Sequence, residues 1–332
     1  MPVTAASIHS LLAQLPVKTG RIWVAYSGGI DSHVLLHQCV QLREELPEIA
    51  GAIHIHHGIS EHADAWEQHC RHICEELGLP CKVTRVSLGV GEGLEDQARR
   101  ARYHAIEAYL RPGDALLLAQ HQDDQAETFL LQALRGGGPR GVAAMPATAP
   151  LGAGYLLRPM LSLTRASIQE YARLHGLHWI EDASNQDTRY ERNFIRHEVM
   201  PLLLSRWPAA GRTLARTAAH TAGLSSIADE LINDELQGVT GSRPGTLSVS
   251  AIKALGMDKA ALLVRALCQQ QQLPMPASVH VTELLQKQLH ADADRQIHVT
   301  WPGGEFRRYH DNLYIQAPLP ETDNDDWQYQ WD

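Results

Sequence analysis

Two short stretches hold residue types that suit phosphate chemistry. The first is Ser27-Gly28-Gly29-Ile30-Asp31-Ser32, which precedes a helical pattern. Gly28 and Gly29 lack a Cβ, so backbone N–H groups there can come close to a ligand. A helix start adds unpaired donors and the positive end of a dipole. Together these suit a phosphate or pyrophosphate. Asp31 would repel such an anion unless a divalent cation lay between them. The second stretch is His121-Gln122-Asp123-Asp124-Gln125-Ala126-Glu127-Thr128. Asp124 and Glu127 could form a capping box at a helix start. Two adjacent carboxylates with a third one turn on exceed what a cap requires. Set opposite Asp31, the residues Asp123, Asp124 and Glu127 suit Mg²⁺ held against triphosphate oxygens.

Other polar groups need weighing against plainer readings. His54, His56 and His57 end an apolar run. Alternation along a strand separates His56 from His57, so a strand-end loop near a nucleotide fits better than zinc. Arg99 and Arg102 lie about one turn apart on one helix face. Such pairs are commonly solvated, but arginine also grips phosphate in two-pronged fashion. Arg135-Gly136-Gly137-Gly138-Pro139-Arg140-Gly141 reads either as a plain connector or as a basic loop for phosphate or RNA. Arg192 and Arg196, flanking Asn193, are four residues apart and point the same way on a helix.

The elements that must position these groups follow from periodicity. Ile22, Trp23, Val24 and Tyr26 suit a buried strand of a parallel sheet. Residues 51–57, 81–88, 115–119 and, more briefly, 155–157 and 179–180 read as further strands. Helices are predicted over 5–15, from Asp31 onward, and over 63–77, 94–110, 123–134 and 164–175. This alternation predicts an α/β fold with a doubly wound, mostly parallel sheet. Ligands in such sheets sit outside the carboxyl ends of the strands. The polar clusters after Tyr26, after Ile55 and after Ala119 all fall on that edge. From about residue 206 the pattern becomes mostly helical, and 296–315 alternates around Pro302-Gly303-Gly304 as a small hairpin. Domains are therefore expected over 1–205 and 206–318, with an acidic tail over 319–332.

With 332 residues, 44% hydrophobic and 20% charged, the composition is that of an ordinary globular protein. No apolar run approaches ~18 residues, so no membrane span is expected, and the first residues lack a secretory pattern. Cys39, Cys70, Cys74, Cys81 and Cys268 form no Cys-x-x-Cys pair, which fits a reducing cytoplasm. A net charge of −9 argues against sequence-blind nucleic-acid binding, though not against an RNA held by a local basic patch. The first loop is neither a Walker A loop nor a dinucleotide fingerprint.

Ser-Gly-Gly-x-Asp-Ser resembles the pyrophosphatase (PP) loop of ATP-using enzymes that release pyrophosphate. The ordered set of motifs covers residues 21 to about 200. It comprises residues 27–32, His56-His57-Gly58, Glu95 through Arg102-Tyr103, 121–128, 135–141, Asp182-Ala-Ser-Asn185 and Arg192-Asn193-Phe-Ile-Arg196. In that order they resemble the bacterial tRNA(Ile)-lysidine synthetase family. The resemblance implies a PP-loop fold and an ATP-dependent, carbon–nitrogen-bond-forming ligase. ATP would adenylate the wobble cytidine of a CAU-anticodon tRNA(Ile), and free L-lysine would displace AMP. Decoding would change from AUG to AUA. It also implies that Ser27, Gly28, Gly29, Ile30, Asp31 and Ser32 hold pyrophosphate. Asp31, Asp123, Asp124, Arg102 and Arg196 would be catalytic. Arg99, Arg135, Arg192, Asn193 and His57 would contact substrate, and Asp31, Asp123, Asp124 and Glu127 would hold Mg²⁺. Longer family members carry a further C-terminal domain, whereas this sequence ends in an acidic tail soon after the second domain, which fits either a short form or a truncated chain. No obligate protein partner is implied, and a homodimer is left open. Two alternatives remain: another tRNA-modifying PP-loop enzyme such as a thiolase, and a non-catalytic tRNA- or nucleotide-binding protein.

Overall fold

A computed structural model describes residues 2–56, 58, 62–86, 94–290 and 297–318. The chain divides into two compact units, Met1–Gly223 and Leu224–Asp332. The first begins with helix α1 (Ala5–Leu12), strand β1 (Ile22–Ala25), α2 (Ile30–Gln41), β2 (Ile49–His56), α3 (Ala63–Glu76) and β3 (Cys81–Arg85). Then follow α4 (Leu94–Glu107), β4 (Ala115–Leu117), α5 (Gln122–Leu134), α6 (Pro139–Val142), β5 (Thr148–Leu151), β6 (Gly154–Leu157) and α7 (Arg165–Leu174). A helical run closes the unit: α8 (Glu191–Phe194), a π-turn (Ile195–Val199), α9 (Met200–Arg206) and the start of α10 (Ala210–Gly238).

The sheet order is β3-β2-β1-β4-β6-β5. All pairings are parallel except β5 with β6. The alternation along β1 explains the doubly wound form. Ile22, Val24 and Tyr26 enter one core with Leu35, Cys39, Cys70, Cys74 and Ala172. Trp23 enters another with Ile53, Leu116, Leu156 and Ile106 of α4. Burial on both faces leaves no polar side to β1 or β4, as a central parallel strand requires. The chain builds β1, β2 and β3 outward on one side and then places β4 on the other. The carboxyl ends of β1 and β4 thus flank the switch point, the position at which folds of this kind bind their ligands.

Three expectations change. Residues 148–151 form an edge strand with no clear sequence signal. Pro150 interrupts it, and proline is tolerated only where a strand edge needs no donor. Trp179 and Ile180 form no strand; instead the Ile180 N–H donates to the Gly28 carbonyl at 3.0 Å. The expected hairpin is part of a larger sheet. In the second unit β7 (Thr246–Ser248), α11 (Val249–Ala254), α12 (Met257–Gln270) and α13 (Ser278–His290) precede β8 (His298–Trp301), β9 (Gly304–Tyr309) and β10 (Asn312–Gln316). Their antiparallel order is β7-β10-β9-β8. Phe306, Leu313 and Ile315 pack with Leu263, Val264 and Leu284. The third strand, read over 81–88, ends at Arg85, and residues 87 and 88 lie outside the described residues, as does the tail over 319–332. Among the described residues no helix is long and apolar enough to cross a membrane. The cysteines are free, and Cys39, Cys70, Cys74 and Cys268 are buried.

Glu305 ties this second sheet together. It is 2% exposed and accepts from Arg307 Nε (2.7 Å), Gln316 Nε2 (2.9 Å) and His298 Nε2 (2.9 Å). Hydrogen bonding to Arg307 above all, against the opposing effect of burial, lowers its pKa to about 2. A depressed carboxyl contributes stability above its unfolded value and loses it as pH falls through the folded value. Glu305→Gln should therefore lower stability by about 1.5–3 kcal/mol near neutrality. It should also remove stability loss between pH 4.5 and about 2, read by thermal melts across that range. Identical acid-limb melts for variant and wild type would remove Glu305 from this role.

Candidate active site

The first motif is a turn braced from inside. Gly28 takes φ +87°, a conformation open to glycine. A Cβ there would lie 2.9 Å from Ile180 Cδ1 and 3.2 Å from Cys70 Sγ. Ser27 N–H donates to Ser32 Oγ (3.2 Å), and Ser32 Oγ donates to the Gly29 carbonyl (3.0 Å). The Ser27 and Ser32 hydroxyls lie 3.1 Å apart. Gly29 is the N-cap of α2 and has no capping side chain. The first-turn amides of Ile30, Asp31 and Ser32 therefore have no partner inside the helix. This is the donor cradle that the sequence calls for.

The second motif meets it across the switch point. His121, 1% exposed, is the N-cap of α5, and its N–H donates to Asp124 Oδ2 at 2.9 Å. The cap is thus made by His121 and Asp124 rather than by the expected Asp124 and Glu127, whose carboxylate bonds arginines instead, and it does not exhaust the cluster. The imidazole stands among three carboxylates. Nε2 lies 3.7 Å from Asp31 Oδ1 and 3.5 Å from Asp124 Oδ2, and Nδ1 lies 3.6 Å from Asp123 Oδ2. Burial alone would lower the His121 pKa, but Asp123, Asp124 and Asp31 together raise it above the ordinary imidazole range. Burial, with Asp124 adding to it, pushes Asp31 up, against His121, Arg165 and Arg196. Asp123 goes the other way: despite burial, His121 and the Arg165 N–H at 2.9 Å hold it below the usual carboxylate value.

A third element completes the cluster. Arg192 and Arg196 reach from the α8 run to α5. Asp124 Oδ1 accepts from Arg192 Nη2 (3.1 Å) and Arg196 Nη2 (3.0 Å). Glu127 accepts from Arg192 Nε (3.0 Å), Arg196 Nε (2.7 Å) and Arg196 Nη2 (2.8 Å). Pro201, which has no N–H to give, stands just beyond the π-turn in this run.

Asp31, Asp123, Asp124, Glu127, Arg192 and Arg196 are thus brought together. Asp31 Oδ1 is buried without a hydrogen-bond partner. Asp31 and Asp123, on either side of the same imidazole, are the carboxylates of the hard-oxygen type that Mg²⁺ takes. Asp124 and Glu127 differ, because both oxygens of each already accept hydrogen bonds, Asp124 from the His121 N–H and the two arginines and Glu127 from the arginines. Arg135 pairs with Glu191. Asn193 Nδ2 donates to the Ser184 and Asp187 carbonyls, both at 3.0 Å, and so braces the turn before α8. Arg102 is exposed on α4. His57 and the Arg99 side chain lie outside the described residues. His121 as the hub, and Arg165 against Asp123, carry no sequence signal beyond their place at helix starts. Among the described residues a separate cluster of His56, Asp64 and Glu67 has metal-ligand types, but Arg71 and Arg85 already pair with its carboxylates.

A PP-loop domain model matches residues 2–203, and a TilS substrate binding domain model matches 247–314. The tRNA(Ile)-lysidine synthase of Escherichia coli O157:H7 is 44% identical over 92% of this chain and 71% of its own length. That of Methylococcus capsulatus is 41% identical over 93% and 71%. The chain belongs to the tRNA(Ile)-lysidine synthase family. Among solved structures, the U34-tRNA thiolase NcsA from Methanococcus maripaludis is similar, with a TM-score of 0.50 over 65% of this chain and 77% of that one. At 15% identity that likeness carries the fold alone. As in other members of the family, the PP-loop domain is the ATP-using part.

The arginine pair makes a testable claim. Removing one partner of a buried ion pair leaves a charge uncompensated. Arg196→Ala should lower stability by about 3 kcal/mol, and adding Glu127→Gln should recover part of that loss, measured by thermal and denaturant unfolding. A wild-type melting temperature in the single variant would show that Glu127 does not depend on Arg196.

Proposed function

We propose that this chain ligates lysine to C2 of the wobble cytidine of a CAU-anticodon tRNA(Ile), in the cytoplasm, using ATP. One observation carries the reading. The Ser27–Ser32 turn and the Asp31–His121–Asp124 cluster meet at the β1/β4 switch point in a chain of this family.

The cytidine C2 oxygen attacks the α-phosphorus of ATP, and pyrophosphate leaves. The lysine ε-amine then adds at C2, loses a proton, and AMP leaves with the C2 oxygen. An amide-like oxygen leaves poorly and AMP leaves well, so adenylation makes the substitution possible. The first-turn amides of α2 bind the departing pyrophosphate. Asp31 and Asp123 would hold Mg²⁺, which would neutralise charge on the phosphates when bound. Arg102, Arg192 and Arg196 would stabilise phosphate or an extruded cytidine, the last two by exchanging their bonds to Asp124 and Glu127 for the substrate's charges, with Arg99, Arg135 and His57 as further contacts. The amine reacts only as the free base, so a nearby carboxylate assists. The division of labour follows the sequence: residues 1–205 for catalysis and 206–318 for holding tRNA.

Labelled lysine should enter unmodified CAU-anticodon tRNA(Ile) with ATP and Mg²⁺, alongside AMP release. A transcript with U at the wobble position should take up none. AMP release without lysine incorporation would point to another nucleophile and a different modification. Asp31→Ala should abolish AMP formation while leaving the melting temperature near wild type. Normal turnover in that variant would sink the role given to Asp31.

A further inference from the structure

One part of the first unit has a charge opposite to the whole. Residues 189–216 hold six arginines and two glutamates, in a chain whose net charge is −9. Arg192 and Arg196 are spent on Asp124 and Glu127. Arg206, Arg212 and Arg216 are exposed, and no carboxylate pairs with them among the described residues. Arg212 and Arg216, with His220 after them, are four residues apart along α10 and share a face. Between α9 and α10 stands Trp207, 59% exposed, its N–H bonded to the Leu203 carbonyl and its carbonyl to the Ala210 N–H. The Arg206 guanidinium carbon lies 5.8 Å from the Trp207 ring centroid.

A large aromatic ring in water costs solvation free energy unless something covers it. A protein partner is the usual reason for an exposed tryptophan. Here one guanidinium lies beside the ring and two more, with no carboxylate partner among the described residues, follow within nine residues along the chain, which favours a polyanion with flat faces. Unpaired bases stack on aromatic rings while arginines take the phosphates. We infer that Trp207, with Arg206, Arg212 and Arg216, forms a docking surface for a single-stranded RNA segment that continues from the nucleotide in the active site. Arg206 lies ten residues beyond Arg196 on one helical run, about 15 Å along its axis. A few nucleotides span that length. The surface deepens the proposed function and rests on it, because the RNA in question is the tRNA to be modified.

The test uses full-length protein and unmodified CAU-anticodon tRNA(Ile), with binding measured across a salt series. Trp207→Ala should weaken binding roughly 5- to 100-fold. The double variant Arg212→Gln, Arg216→Gln should flatten the dependence of log K on log salt by about 0.7 for each phosphate no longer neutralised. Both should raise KM for tRNA and leave kcat for lysine incorporation near wild type. ATP affinity without RNA reports on the fold and should not move. Wild-type affinity and salt slope in both variants would overturn the surface while leaving the lysine reading intact. Wild-type protein that neither binds nor modifies the tRNA would overturn both. Loss of self-association in Trp207→Ala with tRNA binding unchanged would give the surface to a second copy of the chain and overturn the RNA assignment.

Discussion

Four carboxylates crowd one corner of the first unit, and their mutual repulsion is the constraint on everything around them. Asp31, Asp123, Asp124 and Glu127 cannot share a partly buried site as anions without compensation. The compensation is built from three separate elements. His121 sits at the start of α5, among the three aspartates. Arg192 and Arg196 arrive from α8 and the π-turn and take Asp124 and Glu127. The α7 start gives its first amide to Asp123. Asp123 thereby pins the α7 start, and Asp124 and Glu127 together pin the α8 run, so the acidic cluster is as much a clasp as a site. Glu127 holds the α5 and α8 runs together from its 3% exposed position. Asp31, whose Oδ1 finds no donor, is the member left with capacity for a cation.

This distribution separates two roles that sequence alone merges. In the sequence, Asp123, Asp124 and Glu127 look like equivalent acids one turn apart. In the fold they diverge because of what lies opposite each. Glu127 has both oxygens occupied by guanidinium groups. Asp124 divides itself, with one oxygen on the His121 amide and the other on the two arginines. Asp123 is the most open of the three, paired only with a backbone amide and an imidazole at 3.6 Å.

What could be read from the sequence was what local chemistry dictates. The Ser27–Ser32 turn is legible because Gly28 must take a positive φ and because both serines act within five residues of each other. The parallel sheet is legible because β1 and β4 are apolar on both faces. The illegible parts are long-range. Arg192 and Arg196 pair with Asp124 and Glu127 across 65 to 72 residues of chain, and no spacing rule predicts that. Asn193 looks like a substrate contact beside two arginines, yet its amide is consumed by two carbonyls of the preceding turn. Ile180 reads as a strand residue because it is β-branched next to Trp179. Its actual bond, to the Gly28 carbonyl, is a single contact that fixes the back of the loop. Residues 148–151 escape notice because Pro150 argues against a strand unless the edge position is already known.

Charge is segregated along the chain as well as paired within it. An overall charge of −9 repels nucleic acid at long range and suppresses binding to the wrong RNA. A small cationic surface on such a body attracts a polyanion only when that polyanion approaches from one side. Orientation is then selected at encounter, before any base is read. This arrangement needs the active-site arginines to be neutralised in the resting protein. Free guanidinium groups in the crevice would compete with the exposed surface for phosphate and blur the direction of approach. The pairing of Arg192 and Arg196 with Asp124 and Glu127 meets that need. The clasp that stabilises the acidic corner therefore also takes two guanidinium charges out of competition with the exposed surface.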